Sequence, residues 1–106
     1  MLHGHVIRGT TPTHKFDLPY TPDLIEDLRV IYGQNRKSVF SKVKEDCVIE
    51  EGKLIVDLSQ EETLLFIPNK IVSIEIKIKL ITGKVVRNKE PVVLGVIDSL
   101  SDEVIE

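Results

Sequence analysis

The sequence contains no alanine and no tryptophan, and only one of its 106 residues is a cysteine. Alanine is the best helix former, so its absence disfavours a helical bundle. A single cysteine excludes an intrachain disulfide, and packing alone must then stabilise the fold, as in a reducing compartment. The apolar runs are only a few residues long, whereas a membrane-spanning helix needs roughly 20. We therefore expect no membrane insertion and, with no secretory signal in view, synthesis in the cytoplasm.

The apolar residues that are present are mostly β-branched. Valine and isoleucine supply 26 residues and leucine supplies 11, a composition that favours strands. The length fits one domain with one core. Fourteen basic and 17 acidic residues give a net charge of −3, and the two signs are interspersed along the chain. This pattern does not suit a surface that follows a phosphate backbone, so we expect no nucleic-acid partner.

Period-two alternation is the clearest structural signal. From Val72 to Leu80 every second residue is apolar, which predicts a strand with one buried face. The residues that follow include Gly83 and predict a tight turn into an antiparallel neighbour. Two further hairpins are predicted, one that turns at Gly33 and Asn35 and one that turns at residues 50–52.

Three other segments define the predicted layout. Prolines bound a short strand at residues 14–18, which we place at a sheet edge because proline cannot donate to a ladder. Ser59 and Glu62 have the spacing of a capping box, which predicts one helical turn at residues 59–63 as a corner between sheets. Residues 88–91 interrupt the last β region and indicate a bulge or a change of sheet.

These elements together predict an all-β fold. Seven or eight short strands with turn chemistry between them favour an antiparallel, immunoglobulin-like β-sandwich over a barrel. We divide the chain into an N-terminal extension at residues 1–5, one sandwich domain at residues 6–100 and an acidic tail at residues 101–106. The extension is expected to be mobile.

No arrangement typical of an active site stands out. The chain has no glycine-rich phosphate loop, no nucleophile elbow and no zinc-binding helix motif. Cys47 follows Asp46, and a neighbouring carboxylate raises the pKa of a thiol instead of activating it. Acidic residues such as Glu61 and Glu62 are adjacent in sequence and do not converge on one substrate atom. We therefore predict no catalytic residue, no cofactor and no enzyme activity.

The three histidines are the candidate metal ligands. His3 and His5 are two residues apart, a spacing that places both rings on one face of a strand. A site would need two further ligands, and only His14, Cys47 and scattered carboxylates are available. The alternative is an exposed N-terminal segment without a metal, and we adopt that prediction.

Apolar residues at outward positions of the predicted strands are the candidate interface. Ile31 and Ile55 indicate burial against another subunit, or else a sheet covered by a loop. Arg8 and Phe16 mark the proline-bounded edge, which would add to the interface by strand pairing. Tyr20 lies between two prolines and is the one ring expected to be exposed, so it is the candidate platform for a sugar.

Three segments carry a family resemblance, namely residues 8–16, 30–35 and 58–66. Their order and spacing resemble small proteins encoded in the structural gene clusters of phages and prophages from low-GC Gram-positive bacteria, over about residues 7–100. The shared motifs are structural and include no catalytic signature.

The resemblance implies a non-enzymatic virion component of the tail, baseplate or neck, made in the bacterial cytoplasm. Its partners would be other virion structural proteins or further copies of itself in a homo-oligomer. The alternative function is a glycan-binding or adhesion module that recognises a cell surface.

Overall fold

The structure, a computed structural model, describes residues 2–106, and most of its regular structure is β-strand. Nine strands and one α-helix are present among these residues. In chain order the elements are β1 (His5–Ile7), β2 (Thr13–Asp17), β3 (Ile25–Gln34), β4 (Lys37–Val43), β5 (Cys47–Glu50), β6 (Lys53–Asp57), α1 (Gln60–Leu64), β7 (Val72–Leu80), β8 (Val85–Arg87) and β9 (Val92–Ile97). The prediction of an all-β fold is confirmed.

The larger sheet has six strands with β3 and β7 at its centre. Its order is β1-β9-β7-β3-β4, and β8 also pairs with β7. The central pair is antiparallel and places Tyr32 opposite Ile74. The even-numbered residues of β7 from Val72 to Ile78 are buried, whereas Lys77 and Lys79 are exposed, so the predicted alternation is confirmed.

The smaller sheet has three antiparallel strands in the order β2-β6-β5. Strand β2 lies at an edge, as the flanking prolines predict. Leu54 and Val56 of β6 point to the buried side, and Phe16 of β2 joins them. Side chains from this sheet and from the larger one belong to one hydrophobic core cluster, so both sheets share a single core.

The short helix α1 forms the corner that connects the two sheets. The Ser59 hydroxyl accepts from the Glu62 N–H at 3.1 Å, and the Glu62 carboxylate accepts from the Ser59 N–H at 2.8 Å. Lys42 of β4 donates to the same carboxylate at 2.7 Å. The predicted capping box is confirmed, with Ser59 as the cap and the helix ending at Leu64.

The hairpin turns show which residues adopt left-handed backbone conformations. Gly83 has a φ of 91° in the turn between β7 and β8, as predicted. In the turn between β3 and β4 the left-handed residues are Asn35, at 53°, and Arg36, at 63°. Gly33 is not a pivot of this turn, because it stays in β3 beside a register shift and pairs with Ser38.

The prediction that all strands are antiparallel is wrong at one edge. Strand β1 pairs parallel with β9, with Ile7 opposite Ile97. A parallel pair cannot be joined by a tight hairpin, and here the partners lie near opposite ends of the sequence. The strands also number nine instead of seven or eight, and β3 and β7 have ten and nine residues.

Both chain ends pack against the body of the domain, the N-terminal end against the larger sheet and the C-terminal end against α1. Within the predicted extension, the His3 N–H donates to the Val93 carbonyl at 2.7 Å, and His5 already belongs to β1. Met1 lies outside the described residues. In the predicted acidic tail, the Ile105 N–H and carbonyl bond to the side chain of Gln60 at 3.0 and 2.7 Å. The tail therefore lies against α1.

Asn88 bridges a gap between β8 and β9, which both pair with the same flank of β7. Its Oδ1 accepts from the Ile76 N–H at 2.8 Å, and its Nδ2 donates to the carbonyls of Ile74, at 3.2 Å, and Glu90, at 2.8 Å. The side-chain amide thus replaces missing ladder bonds. Residues 88–91 separate β8 from β9, and the chain remains in the same sheet after this interruption.

We expect Asn88→Ala to destabilise the domain by about 1–3 kcal/mol, because the Ile76 N–H and the Ile74 carbonyl lose their partners. The measurement is the free energy of unfolding from urea titration. Lys89→Ala, at the exposed neighbouring position, is the control and should change stability by less than about 0.5 kcal/mol. Equal effects of the two substitutions would contradict the bridging role.

Candidate functional site

Arg8, a predicted interface residue, makes its contacts within the chain. Its guanidinium donates to the carbonyls of Phe66 and Leu64, each at 2.9 Å, and to Asp98 and Asp102 at 2.7 and 3.0 Å. The side chain is only 12% exposed. Arg8 therefore holds the segment after α1 and the start of the C-terminal tail together.

The two predicted aromatic contact residues are also packed within the fold. Phe16 is 9% exposed and belongs to the core. Tyr20 is partly buried and packs against the same core cluster. Neither ring is a free platform at the surface.

Ile31 and Ile55 lie on the outward faces of the two different sheets. Ile31 stands between Ser41 of β4 and Glu75 of β7, and Ile55 stands between Lys15 of β2 and Val48 of β5. Both side chains are partly buried. The structure therefore does not bring the five predicted interface residues into one surface.

A different apolar patch lies at the edge formed by β1 and β9. It consists of Leu2, Ile7, Ile71 and Ile97, whose side chains are between 44% and 54% exposed. Leu2, Ile71 and Ile97 line one shallow depression of about 380 Å³, and Ile7 is paired with Ile97 in the sheet. We call these four residues the edge patch.

Gly95 shapes the floor of this depression. A Cβ atom at this position would lie 2.7 Å from Cδ2 of His5 and 3.3 Å from a methyl carbon of Leu2. The missing side chain therefore lets His5 and Leu2 lie against the backbone of β9. The alternation of Val93, Gly95 and Ile97 in the sequence indicates one face of a strand. It does not predict that this strand pairs with β1.

His14 takes part in an aromatic cluster that links the two sheets. Its Nδ1 shares a hydrogen bond of 2.8 Å with the Tyr32 hydroxyl, and the two rings are stacked with centroids 5.7 Å apart. Tyr32 stacks in turn on Phe40 at 4.9 Å. Burial lowers the pKa of His14 and raises the pKa of Tyr32 well above its ordinary value, so both groups are neutral near pH 7.

Two of the three candidate metal ligands, His3 and His14, line the same cleft of about 500 Å³, but each of the three histidines has different contacts. His14 faces Tyr32, His5 lies over Gly95, and His3 Nδ1 accepts from the Val93 N–H at 3.0 Å. Within residues 2–106, no group of three or more histidine, cysteine, aspartate or glutamate side chains has an arrangement that could hold a metal ion.

Cys47 is partly buried at the start of β5. Its Sγ contacts the Val43 carbonyl at 3.3 Å. Burial and the neighbouring Asp46 raise the pKa of the thiol, as the sequence predicts. A thiol of this kind is a poor nucleophile at neutral pH.

We expect Arg8→Lys to lower the free energy of unfolding by about 1–2 kcal/mol. An ammonium group keeps the charge but cannot reach the two carbonyls and two carboxylates at once. Chemical denaturation measures the loss, and Arg29→Lys, at an exposed pair with Asp27, is the matched control. Unchanged stability in Arg8→Lys would show that the guanidinium contacts are dispensable.

His14 predicts a specific pH dependence of stability. Above its ordinary pKa of 6.5 both the folded and the unfolded chain hold this ring neutral. Below that value the unfolded chain binds a proton that the folded chain resists, so the free energy of unfolding falls as the pH decreases towards the lower folded pKa.

The test compares unfolding free energies between about pH 7.5 and pH 5.5, a window above most carboxylate titrations. His14→Gln should flatten the slope, whereas His5→Gln, at an exposed ring, should keep it. An unchanged slope in His14→Gln would contradict the assignment to this histidine.

Comparisons with known proteins identify no relative of this chain. The chain matches no protein-family model, and it has no significant match among curated proteins or among solved structures. Among residues 2–106 none of the helices combines the length and the hydropathy that a membrane-spanning helix requires.

Proposed function

We propose that the protein is a non-enzymatic structural subunit of a phage or prophage virion, in the tail, baseplate or neck, and that it acts through protein–protein contacts. The observation that carries the proposal is the edge patch. Three of its four apolar side chains, those of Leu2, Ile71 and Ile97, line one depression, and Ile7 of the edge strand is paired with Ile97. A partner that covered this surface would remove them from water. The resemblance of residues 8–16, 30–35 and 58–66 to phage structural proteins supports the virion setting.

The arrangement of the sheets supports a β-sandwich as the scaffold. The larger and smaller sheets send alternate side chains into the same core, as the two layers of a sandwich do. The hydrogen bond and ring stacking between His14 of β2 and Tyr32 of β3 join the layers directly. We infer a sandwich related to the immunoglobulin-like class, with the parallel β1–β9 pair as a departure from a purely antiparallel plan.

The alternative function, recognition of a cell-surface glycan, has less support from the geometry. Sugar rings bind to exposed aromatic faces, and Tyr20 packs against the core instead. The edge patch is aliphatic and offers no such face. Assembly is therefore the function that this surface favours.

The proposal predicts that Ile7→Ser combined with Ile97→Ser weakens assembly. Each isoleucine is close to half exposed, and burying the remaining apolar area of both should contribute about tenfold or more to affinity. Light scattering of the chain and pull-down with the products of neighbouring genes measure the effect. Ile81→Ser, at an exposed turn residue outside the edge patch, is the control.

Two results would contradict the proposal. The double variant would assemble as the unmodified chain does, or the unmodified chain would stay monomeric at high concentration and bind no neighbouring gene product. Flanking capsid, portal or tail genes would support the virion setting independently of either assay.

A further inference from the structure

A groove of about 530 Å³ lies on the outward face of the six-stranded sheet, beside the turn between β3 and β4. Its floor crosses three strands at Ser38, Gly33 and Ser73, which are neighbours in the sheet register. The two serine side chains are small and Gly33 has no side chain, so the surface is recessed at these positions. Ile31 and Ile71 supply apolar walls, and Ile71 is also one of the four residues of the edge patch.

The rim of this groove carries more positive than negative charge. Arg36, Lys37 and Arg87 line it together with one carboxylate, Glu75. Glu75 pairs with Arg87 at 3.4 Å, while Arg36 and Lys37 form no salt bridge with any residue from 2 to 106. A chain with a net charge of −3 thus concentrates positive charge around a groove with two apolar walls, Ile31 and Ile71. This combination favours an acidic ligand that also carries apolar side chains.

The C-terminal segment, residues 99–106, has the complementary chemistry. Leu100 is fully exposed and Ile105 is 80% exposed. Between and beside them the carboxylates of Glu103 and Glu106 are also exposed. The segment therefore presents alternating apolar and acidic side chains to solvent.

The contacts that this segment makes with residues 2–106 involve other groups, and those four side chains stay exposed. Asp102 is held by Arg8 at 3.0 Å, and the backbone of Ile105 is held by the side chain of Gln60. These contacts hold the C-terminal segment beside α1, while Leu100, Glu103, Ile105 and Glu106 remain exposed to solvent. A groove that receives them would belong to another molecule.

We propose that the cationic groove binds the acidic C-terminal segment, residues 99–106, of a second copy of the chain. Each copy then offers a groove to one neighbour and a tail to another, so the contact is head-to-tail and generates a ring or a filament. This inference rests on the proposed assembly function, and it identifies a second copy of the chain as one assembly partner.

The first experiment measures self-association of the full chain by sedimentation at several salt concentrations. The groove variant combines Arg36→Gly with Lys37→Gln, and the tail variant combines Glu103→Gln, Glu106→Gln and Leu100→Ser. Glycine suits the left-handed conformation of residue 36, so the groove variant is expected to fold at least as well there. Lys84→Gln, at an exposed turn outside the groove, is the matched control.

We expect each variant to weaken association about fivefold, as the loss of two exposed charge pairs predicts. Added salt should also weaken association of the unmodified chain, because it screens the exposed charges. Lys84→Gln should associate as strongly as the unmodified chain. Association of either variant at the unmodified strength would overturn the inference. So would an unmodified chain that remains monomeric at high concentration, and the groove would then fit an acidic segment of a different protein.

The second experiment mixes the groove variant with the tail variant. The tail variant keeps an intact groove and the groove variant keeps an intact tail, so each mixed pair has one complete contact. We expect association to return and to stop at one-to-one pairs, without rings or filaments. A mixture that shows no association would overturn the proposed contact.

Variants of the edge patch separate this inference from the proposed function. If Ile7→Ser with Ile97→Ser abolishes association while the groove and tail variants retain it, the groove inference is wrong and the assembly function stands. If mixed one-to-one pairs form and the edge-patch variant changes no interaction, the groove inference stands and the proposed role of the edge patch fails.

Discussion

The antiparallel pairing of β3 with β7 is the contact on which the rest of the structure depends. These are the two longest strands, and the other strands of the larger sheet attach to one of them directly or through one neighbour. Their inward side chains form one wall of the core, and Phe16, Leu54 and Val56 of the smaller sheet complete it. With a single cysteine the chain has no intrachain disulfide, so this apolar contact and the polar corner at α1 maintain the relation between the sheets.

Patterns between near neighbours in the chain predicted most elements of this fold. The alternation in β7, the turn at Gly83 and the capping box of Ser59 and Glu62 each depend on a few consecutive residues, and each is observed. The parallel pairing of β1 with β9 joins residues about ninety positions apart, and no local pattern encodes such a contact. Residue preference predicted Gly33 and Asn35 as the pivots of this turn. Asn35 does adopt a left-handed conformation, but the second left-handed residue is Arg36, whose side chain does not favour it.

The surface was less predictable than the fold, because exposure depends on what packs above each strand. Ile31 and Ile55 were expected to be exposed from their alternation, yet neighbouring strands partly bury both. Arg8 shows the same limit for a charged residue. From the sequence an arginine near the N-terminus is expected at the surface, and only the folded structure reveals the carbonyl and carboxylate groups that surround it. The residues of the edge patch come from three separate parts of the chain, and only folding assembles them.

The bridge at Asn88 has a consequence for what this sheet can tolerate. A main-chain ladder accepts almost any side chain, but here its continuity depends on one amide group that must both accept and donate. Aspartate lacks the donor and glutamine is one methylene longer. Without this amide the Ile76 N–H and the Ile74 carbonyl would lose their partners in the gap between β8 and β9, and unpaired buried backbone groups cost stability. Asn88 thus lets β8 and β9 share one flank of β7.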